Sequence, residues 1–417
     1  MVTSVSLCQI FLIISRKYLE EKRGIRQDNG RMFLLILQRF FDYPVFSYCS
    51  TRMALAAITS LLFTIFCGKP FIKKLYEWKI GDRVKSEDCP LLGVLHRDKN
   101  NTPTMGGILI LCSLLLSLIL WMDPRSPFTL ILFATTIVIG ILGGRDDYLK
   151  LRHKNTKGLS AKKKIAIQLG FSALVSLYLS WGPATEWIHH GSWFQPPVAK
   201  SSTEQLTTRQ YAERLYIPFV KQPLFHMGLF AMLLFFMIVI TGCSNAVNLT
   251  DGLDGLSTGT VMLAAATFAT FAFLSNNFEI SHYLNILYIE GSGEIAIYLA
   301  AVCGACLGFL WYNSYPAQVF MGDTGALTLG AILGVSAVLL KREVLLAVVG
   351  GVFVMEALSV ILQVGSYKLR NKKRIFLCAP LHHHFEYKGW PETKVVTRFW
   401  IAGLLLAIIG IATLKFQ

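Results

Sequence analysis

His226-Met-Gly-Leu-Phe-Ala-Met-Leu-Leu-Phe-Phe-Met-Ile-Val-Ile-Thr-Gly-Cys-Ser-Asn-Ala-Val247 contains no Lys, Arg, Asp or Glu. A helix needs roughly 20 mainly apolar residues to cross a bilayer, so this stretch reads as a membrane span. Directly after it comes Asn248-Leu-Thr-Asp-Gly-Leu-Asp-Gly255, again without a basic residue. Asn248, Asp251 and Asp254 recur every three residues, which predicts that they share one face of a helical turn. Polar groups at the end of an apolar span, with no counter-charge beside them, need a ligand or a metal ion. A calcium loop is the rival, but the spacing lacks the terminal Glu of the common form. The expectation is an all-α integral membrane protein whose chemistry sits at a membrane edge.

The rest of the chain extends this reading. Nine more apolar segments fall at 52–69, 105–122, 128–143, 164–181, 257–275, 293–313, 325–340, 343–365 and 398–415. The chain is 53% hydrophobic and only 16% charged over 417 residues, which fits about ten spans and no separate soluble domain. Its net charge of +15 is explained by loops and not by nucleic acid, because no basic patch with interleaved aromatics appears. Lys and Arg crowd the loops after the first, third and ninth spans and are sparse on the other side. Those loops are therefore predicted to be cytoplasmic, and ten spans then place both termini outside. Residues 1–31 carry six basic residues that this topology puts on the wrong side. They are read as a disordered extension or as lying before the true start at Met32, with residues 32–417 as one polytopic domain. The nine cysteines form no disulfide framework, and Cys303-x-x-Cys306 reads as buried thiols within a span. Residues 182–225, the longest external loop, are given no chemistry.

Every other polar cluster falls on the cytoplasmic side. Lys99, Thr102 and Thr104 precede a helix start with Gly106 and Gly107, a setting that suits phosphate; taken alone it reads equally as an anchor and a cap. Asp146 and Asp147 are adjacent carboxylates that want a cation, with Lys150 close by. A metal carrying a phosphate fits them, as does a carboxylate acting as base. Lys162, Lys163 and Lys164 read mainly as interfacial anchors. Asn313 opens a loop that leads to Phe320-Met-Gly-Asp323. Asp323 alone would be a helix cap, but beside two other acidic clusters it is a metal ligand. Phe320 offers a ring for a base to stack on. His382, His383 and His384 are three of only nine histidines. Adjacent His rarely bind zinc, and imidazoles holding a diphosphate suit them better. Glu356 and Gln363, inside the ninth span, read as packing partners.

These motifs in this order resemble the polyprenyl-phosphate sugar-1-phosphate transferases. The resemblance covers residues from about Met32 to the C-terminus. Within that family, His382-His-His-Phe-Glu386 and Gly389-Trp-Pro-Glu392 look like the branch that uses UDP-N-acetylmuramoyl-pentapeptide. The resemblance implies a magnesium-dependent transfer of the phospho-sugar to undecaprenyl phosphate, with release of UMP, in a multi-pass protein of the bacterial inner membrane. It implies Asp323 as the Mg2+ ligand together with Asp251 or Asp147, and Asp146 as a base. Lys150 and the three histidines would hold the diphosphate, and Asn248, Asn313 and Phe320 would shape the uridine pocket. Asp254 joins the substrate-binding loop, and Lys99 and Thr102 are further substrate contacts. Members are often homodimers. Two positions depart from the pattern: Asn101 replaces a usual Gly, and Arg145 replaces an apolar residue before the Asp pair. The same chemistry on UDP-N-acetylglucosamine is the neighbouring alternative. An ion-coupled secondary transporter is the alternative of another class, disfavoured because the charges sit at one face and no repeat is visible.

Overall fold

The computed structural model describes residues 44–78, 102–152, 158–180, 213–220, 223–284 and 286–416. The proposed extension 1–31, Lys99, Asn101 and most of the external loop lie outside these residues. Eight described helices are long and apolar enough to cross a membrane. They are α1 (Cys49–Glu77), α3 (Pro127–Arg152), α5 (Leu229–Thr250), α6 (Leu256–Ser275), α8 (Gly293–Asn313), α9 (Gly322–Leu339), α11 (Gly351–Leu369) and α13 (Glu392–Phe416). Two more helices match expected segments but are shorter or more polar. α2 (Gly107–Trp121) has 15 residues, and α4 (Ala161–Ser180) begins with Lys162, Lys163 and Lys164. Short helices α7 (Phe278–Leu284), α10 (Glu343–Val349) and α12 (Leu381–Tyr387), a 3-10 turn at Pro44–Ser47 and a two-stranded ribbon of β1 (Arg214–Leu215) and β2 (Phe225–His226) complete the described elements.

The segment expected as one span over 343–365 is broken. α10 ends at Gly350, and α11 starts at Gly351 and runs on to Leu369. Glu343 lies buried at the start of α10, with Lys341 Nζ at 2.9 Å from its Oε1. A buried charge of this kind needs its partner close and fixes the chain there, and the helix long and apolar enough to cross a membrane is Gly351–Leu369.

α9 is the axis of the bundle. All of its residues from Thr324 to Leu339 are buried, and it packs between α3 and α5. α8 lies against α1 and α6 and is similarly enclosed. The outer helices keep apolar side chains on their outward faces, such as Phe66 on α1, Phe230 and Ile238 on α5, and Ile361 on α11. That is the arrangement expected of helices whose solvent is lipid. α9 therefore brings the end of α3 and the end of α5 together around its own first residue pair, Gly322 and Asp323.

Candidate active site

The site assembles from helix ends. Gly143 faces α9 one turn before the Asp pair, and a Cβ there would collide with the Asp323 carbonyl. A Cβ on Gly107 would collide with the backbone of Gly325. These glycines are close-approach positions, which let α3 and α2 bring backbone against the start of α9. The first and fourth motifs then join edge to edge. Phe320 N–H donates to Pro103 O, Gly106 N–H to Phe320 O and Gly107 N–H to Met321 O, each at 2.8 Å. Thr102 and Thr104 are buried in this seam, while Phe320 keeps part of its surface.

Asp147 caps α9 from a different helix. It accepts Asp323 N–H at 3.1 Å, Thr324 N–H at 2.9 Å and the Thr324 hydroxyl at 2.6 Å. The first N–H groups of a helix have no internal partner, so this carboxylate supplies one. Asp146 accepts Leu159 N–H at 2.7 Å, and its Oδ2 lies 2.8 Å from Lys150 Nζ and 2.9 Å from Lys164 Nζ. Asp323 Oδ2 contacts the same two ammoniums, Lys164 at 2.7 Å and Lys150 at 3.1 Å. Its Oδ1 accepts from Asn248 Nδ2 at 2.9 Å. One carboxylate oxygen from each of Asp146, Asp147 and Asp323 lies within 4.8 Å of the others. Three hard oxygen donors at that spacing fit a divalent cation such as Mg2+.

Asp251 stands beside this group and outside the 4.8 Å cluster. Burial and the neighbouring carboxylates of Asp323, Asp147 and Asp254 push its carboxyl up to about 8, against a hydrogen bond from Gly322. A divalent cation would relieve that crowding of negative charge.

The helical turn expected to carry Asn248, Asp251 and Asp254 on one face stops short, and only Asn248 lies within α5. α5 ends at Thr250, and Asp254 turns instead to accept Ala317 N–H at 2.9 Å, while its own N–H donates to Glu392 Oε1 at 2.8 Å. Asn313 is buried behind the site. Its Oδ1 accepts from Thr258 at 2.9 Å and its Nδ2 donates to Val319 O at 2.9 Å, fixing the loop that leads to Phe320.

The three histidines have three different settings. His382 is fully buried, with Nδ1 at 3.1 Å from Glu356 Oε2. His383 Nδ1 lies 2.6 Å from Glu386 Oε2. His384 Nδ1 accepts Leu377 N–H at 3.1 Å, and burial, with the nearby Lys388, lowers its imidazole below the ordinary range. Arg145 is exposed while Asp146 and Asp147 are buried, so this departure leaves the pair itself intact.

Sequence reasoning undervalued three residues. Lys164, read as an anchor, reaches two site carboxylates. A signal was present: three Lys in the first turn of α4 oppose the helix dipole, and such a run is relieved when one of them meets an anion. Glu356 and Gln363, read as packing partners, both hold the segment before and at the histidines. Gln363 Oε1 accepts Ile375 and Phe376 N–H at 3.0 Å each.

An apolar helical bundle with carboxylates and ammoniums gathered at one end of its central helix suits chemistry on phosphorylated substrates at a membrane edge. Residues 129–341 match the family model of glycosyl transferase family 4, and residues 99–111 match signature 1 of the phospho-N-acetylmuramoyl-pentapeptide-transferases. The chain is 64% identical to the phospho-N-acetylmuramoyl-pentapeptide-transferase of Protochlamydia amoebophila, over 89% of this chain and 95% of that one. It is 46% identical to the protein of the same name from Francisella philomiragia, over 89% and 94%. The Desulfotalea psychrophila relative is 44% identical, over 91% and 97%. The chain belongs to the phospho-N-acetylmuramoyl-pentapeptide-transferase family.

Proposed function

We infer that this protein transfers phospho-N-acetylmuramoyl-pentapeptide from its UDP-linked donor to undecaprenyl phosphate, giving lipid I and UMP in peptidoglycan synthesis. The observation that carries the reading is the cluster of Asp146, Asp147 and Asp323, tied to Lys150 and Lys164 at the end of an apolar bundle. A lipid-phosphate oxygen bonds to the phosphorus next to the sugar. The bond from that phosphorus to the bridging oxygen breaks, and UMP leaves with its electron pair. Both reactants are anions, so their approach needs fixed positive charge.

Asp323, with Asp251 or Asp147, would hold Mg2+, which would supply charge neutralisation on the diphosphate. Lys150 gives a further cation for the same oxygens, with the histidine segment, Lys99 and Thr102 as additional phosphate contacts. Asp146 takes up the proton of a lipid phosphate that still carries one. Its Oδ1 is held by Leu159 N–H and its Oδ2 by both ammoniums, so Lys150 or Lys164 must shift before it does so. Asn248, Phe320 and, from behind, Asn313 shape the uridine pocket, and Asp254 holds the adjoining turn to the 314–317 loop.

We place ten spans in the bacterial inner membrane, with both termini outside and the site on the cytoplasmic face where both substrates meet. The test is UMP release by detergent-solubilised protein, with and without undecaprenyl phosphate and Mg2+, beside Asp323→Ala. Release that needs both additions and disappears in the variant is expected. Release only from UDP-N-acetylglucosamine would move the protein to the neighbouring branch, and no release from either donor would end the transferase reading.

A further inference from the structure

Glu356 lies in α11, a helix apolar enough to cross the membrane, and is completely buried. An ionisable group in such a helix is costly unless it is paired, and it marks function by default. Its partner is also completely buried. Glu356 Oε1 accepts the backbone N–H of His382 at 3.2 Å, and Oε2 lies 3.1 Å from the ring Nδ1. That ring contact is short in distance but lacks hydrogen-bond alignment, and both ring nitrogens are buried without a hydrogen-bonding partner. The backbone bond is thus the aligned one, and the ring is held beside the carboxylate by packing. On its other side the imidazole is pressed against the chain: a Cβ on Gly252 would collide with Nε2. Gly252 directly follows Asp251, whose carboxyl lies in the field of Asp323 and Asp147.

These contacts form one line from the middle of α11 to the site. We propose that Glu356 is a positioning residue: it draws Nδ1–H of His382 toward its carboxylate, so that Nε2 backs Gly252 and fixes the turn carrying Asp251. This rests on the transferase reading given above for its kinetic consequences. A carboxylate behind a functional imidazole sets which nitrogen carries the proton and how the ring is oriented. Only glycine at 252 lets the ring come this close.

The chain of contacts gives a test that ordinary packing does not imitate. Glu356→Gln keeps the volume and an acceptor for His382 N–H but removes the charge at Nδ1. Gly252→Ala pushes the ring from the opposite side. Both act through one imidazole, so their effects should not multiply. Each single variant is expected to lower kcat by roughly 10- to 100-fold when assayed at a temperature where it is folded; Glu356→Gln should keep a thermal midpoint near that of the parent, while Gly252→Ala should lower it because its Cβ must displace a buried ring. The double variant should be about as slow as the slower single one. A double variant whose loss is the product of the two single losses would overturn the proposal, as would Glu356→Gln with kcat within about threefold of the parent. A parent that releases no UMP would instead count against the transferase reading. An arm independent of activity uses 15N-histidine-labelled parent protein and a His382→Gln control. A His382 ring protonated at Nδ1 supports the proposal, and a neutral ring protonated only at Nε2 overturns it.

Discussion

The ammonium of Lys164 lies 2.7 Å from Oδ2 of Asp323, although 159 residues separate them in the chain. The same ammonium is 2.9 Å from Asp146 Oδ2, and Lys150, one turn after Asp146 on α3, reaches both carboxylates as well. Like charges this close repel by about 4 kcal/mol per pair at 4 Å with an effective dielectric near 20. Two ammoniums therefore hold the three carboxylates together, and the group as a whole stays acidic, which suits a divalent cation.

Lys164 is accordingly expected to matter far more than its neighbours in the same run. Lys164→Met should reduce UMP release on the order of 100-fold, the scale for removing one electrostatic group from a transition state. Lys163, exposed on the first turn of α4, should tolerate the same change within about twofold, since isolated surface charges contribute little. Comparable rates for the two variants would remove Lys164 from the site.

Gly143 sets the distance between α3 and α9. A Cβ there meets the Asp323 carbonyl, which is backbone and cannot swing away. Gly143→Ala should cost about 1–3 kcal/mol of stability, as overpacking does, and should depress activity more strongly than that loss alone implies, because it moves Asp146 and Asp147 from Asp323. Gly170→Ala, where nothing lies within 4 Å, is the control. Full activity in Gly143→Ala, measured as UMP release at a temperature where the variant is folded, would refute the distance argument.

Much of this was legible in the sequence, for a physical reason. In a bilayer every backbone group must be satisfied within the segment, so apolar length marks helices: each expected segment holds helix, although 343–365 is split into α10 and α11 and eight described helices are long and apolar enough to cross a membrane. Asp146, Asp147 and Asp323 stood out because uncompensated carboxylates at span ends are costly. What the sequence hid was direction. Lys164 looks like Lys162 and Lys163 until α4 is placed against α3 and α9. The Asn248–Asp254 spacing suggested one helical face, but α5 stops at Thr250 and turns Asp254 elsewhere. Glu356 resembled a packing residue because its partner lies 26 positions away. The break at Gly350 and the buried Lys341–Glu343 pair before it were not visible in the hydropathy pattern.

At the opposite end of α8, Arg52 and Glu294 form a buried pair, with Nη2 at 2.7 Å and 2.9 Å from the two carboxylate oxygens. Arg52 Nε also donates to Trp121 O at 2.7 Å, and Glu294 Oε2 accepts Asp123 N–H at 2.9 Å. One pair thus ties α1, the end of α2 and α8. Removing one partner strands a buried charge, so Arg52→Met should destabilise by roughly 3–5 kcal/mol. Arg52→Met combined with Glu294→Gln should recover part of that loss, because no charge is left alone. Thermal unfolding in detergent checks both, and a double variant less stable than the single one would show that the charge is not the cause.

His384 makes the fold sensitive to mild acid. Burial, then the charge of Lys388, holds its imidazole below the ordinary range, and the neutral ring accepts Leu377 N–H through Nδ1. The unfolded chain takes up its proton near pH 6.5 and the folded chain only at lower pH. Between those two values the unfolded state binds more protons, so stability rises with pH. The contribution is complete above about pH 6.5 and is lost as pH falls through the folded value. His384→Asn keeps a side-chain acceptor and cannot titrate. Its thermal midpoint should fall less than that of the parent when pH is lowered from about 7.5 to about 5.5, a window that brackets the ordinary His value. The difference should be small, because the ring is only partly enclosed, but its sign is fixed: parallel curves would mean that the proton on His384 does not act on the segment leading into α12.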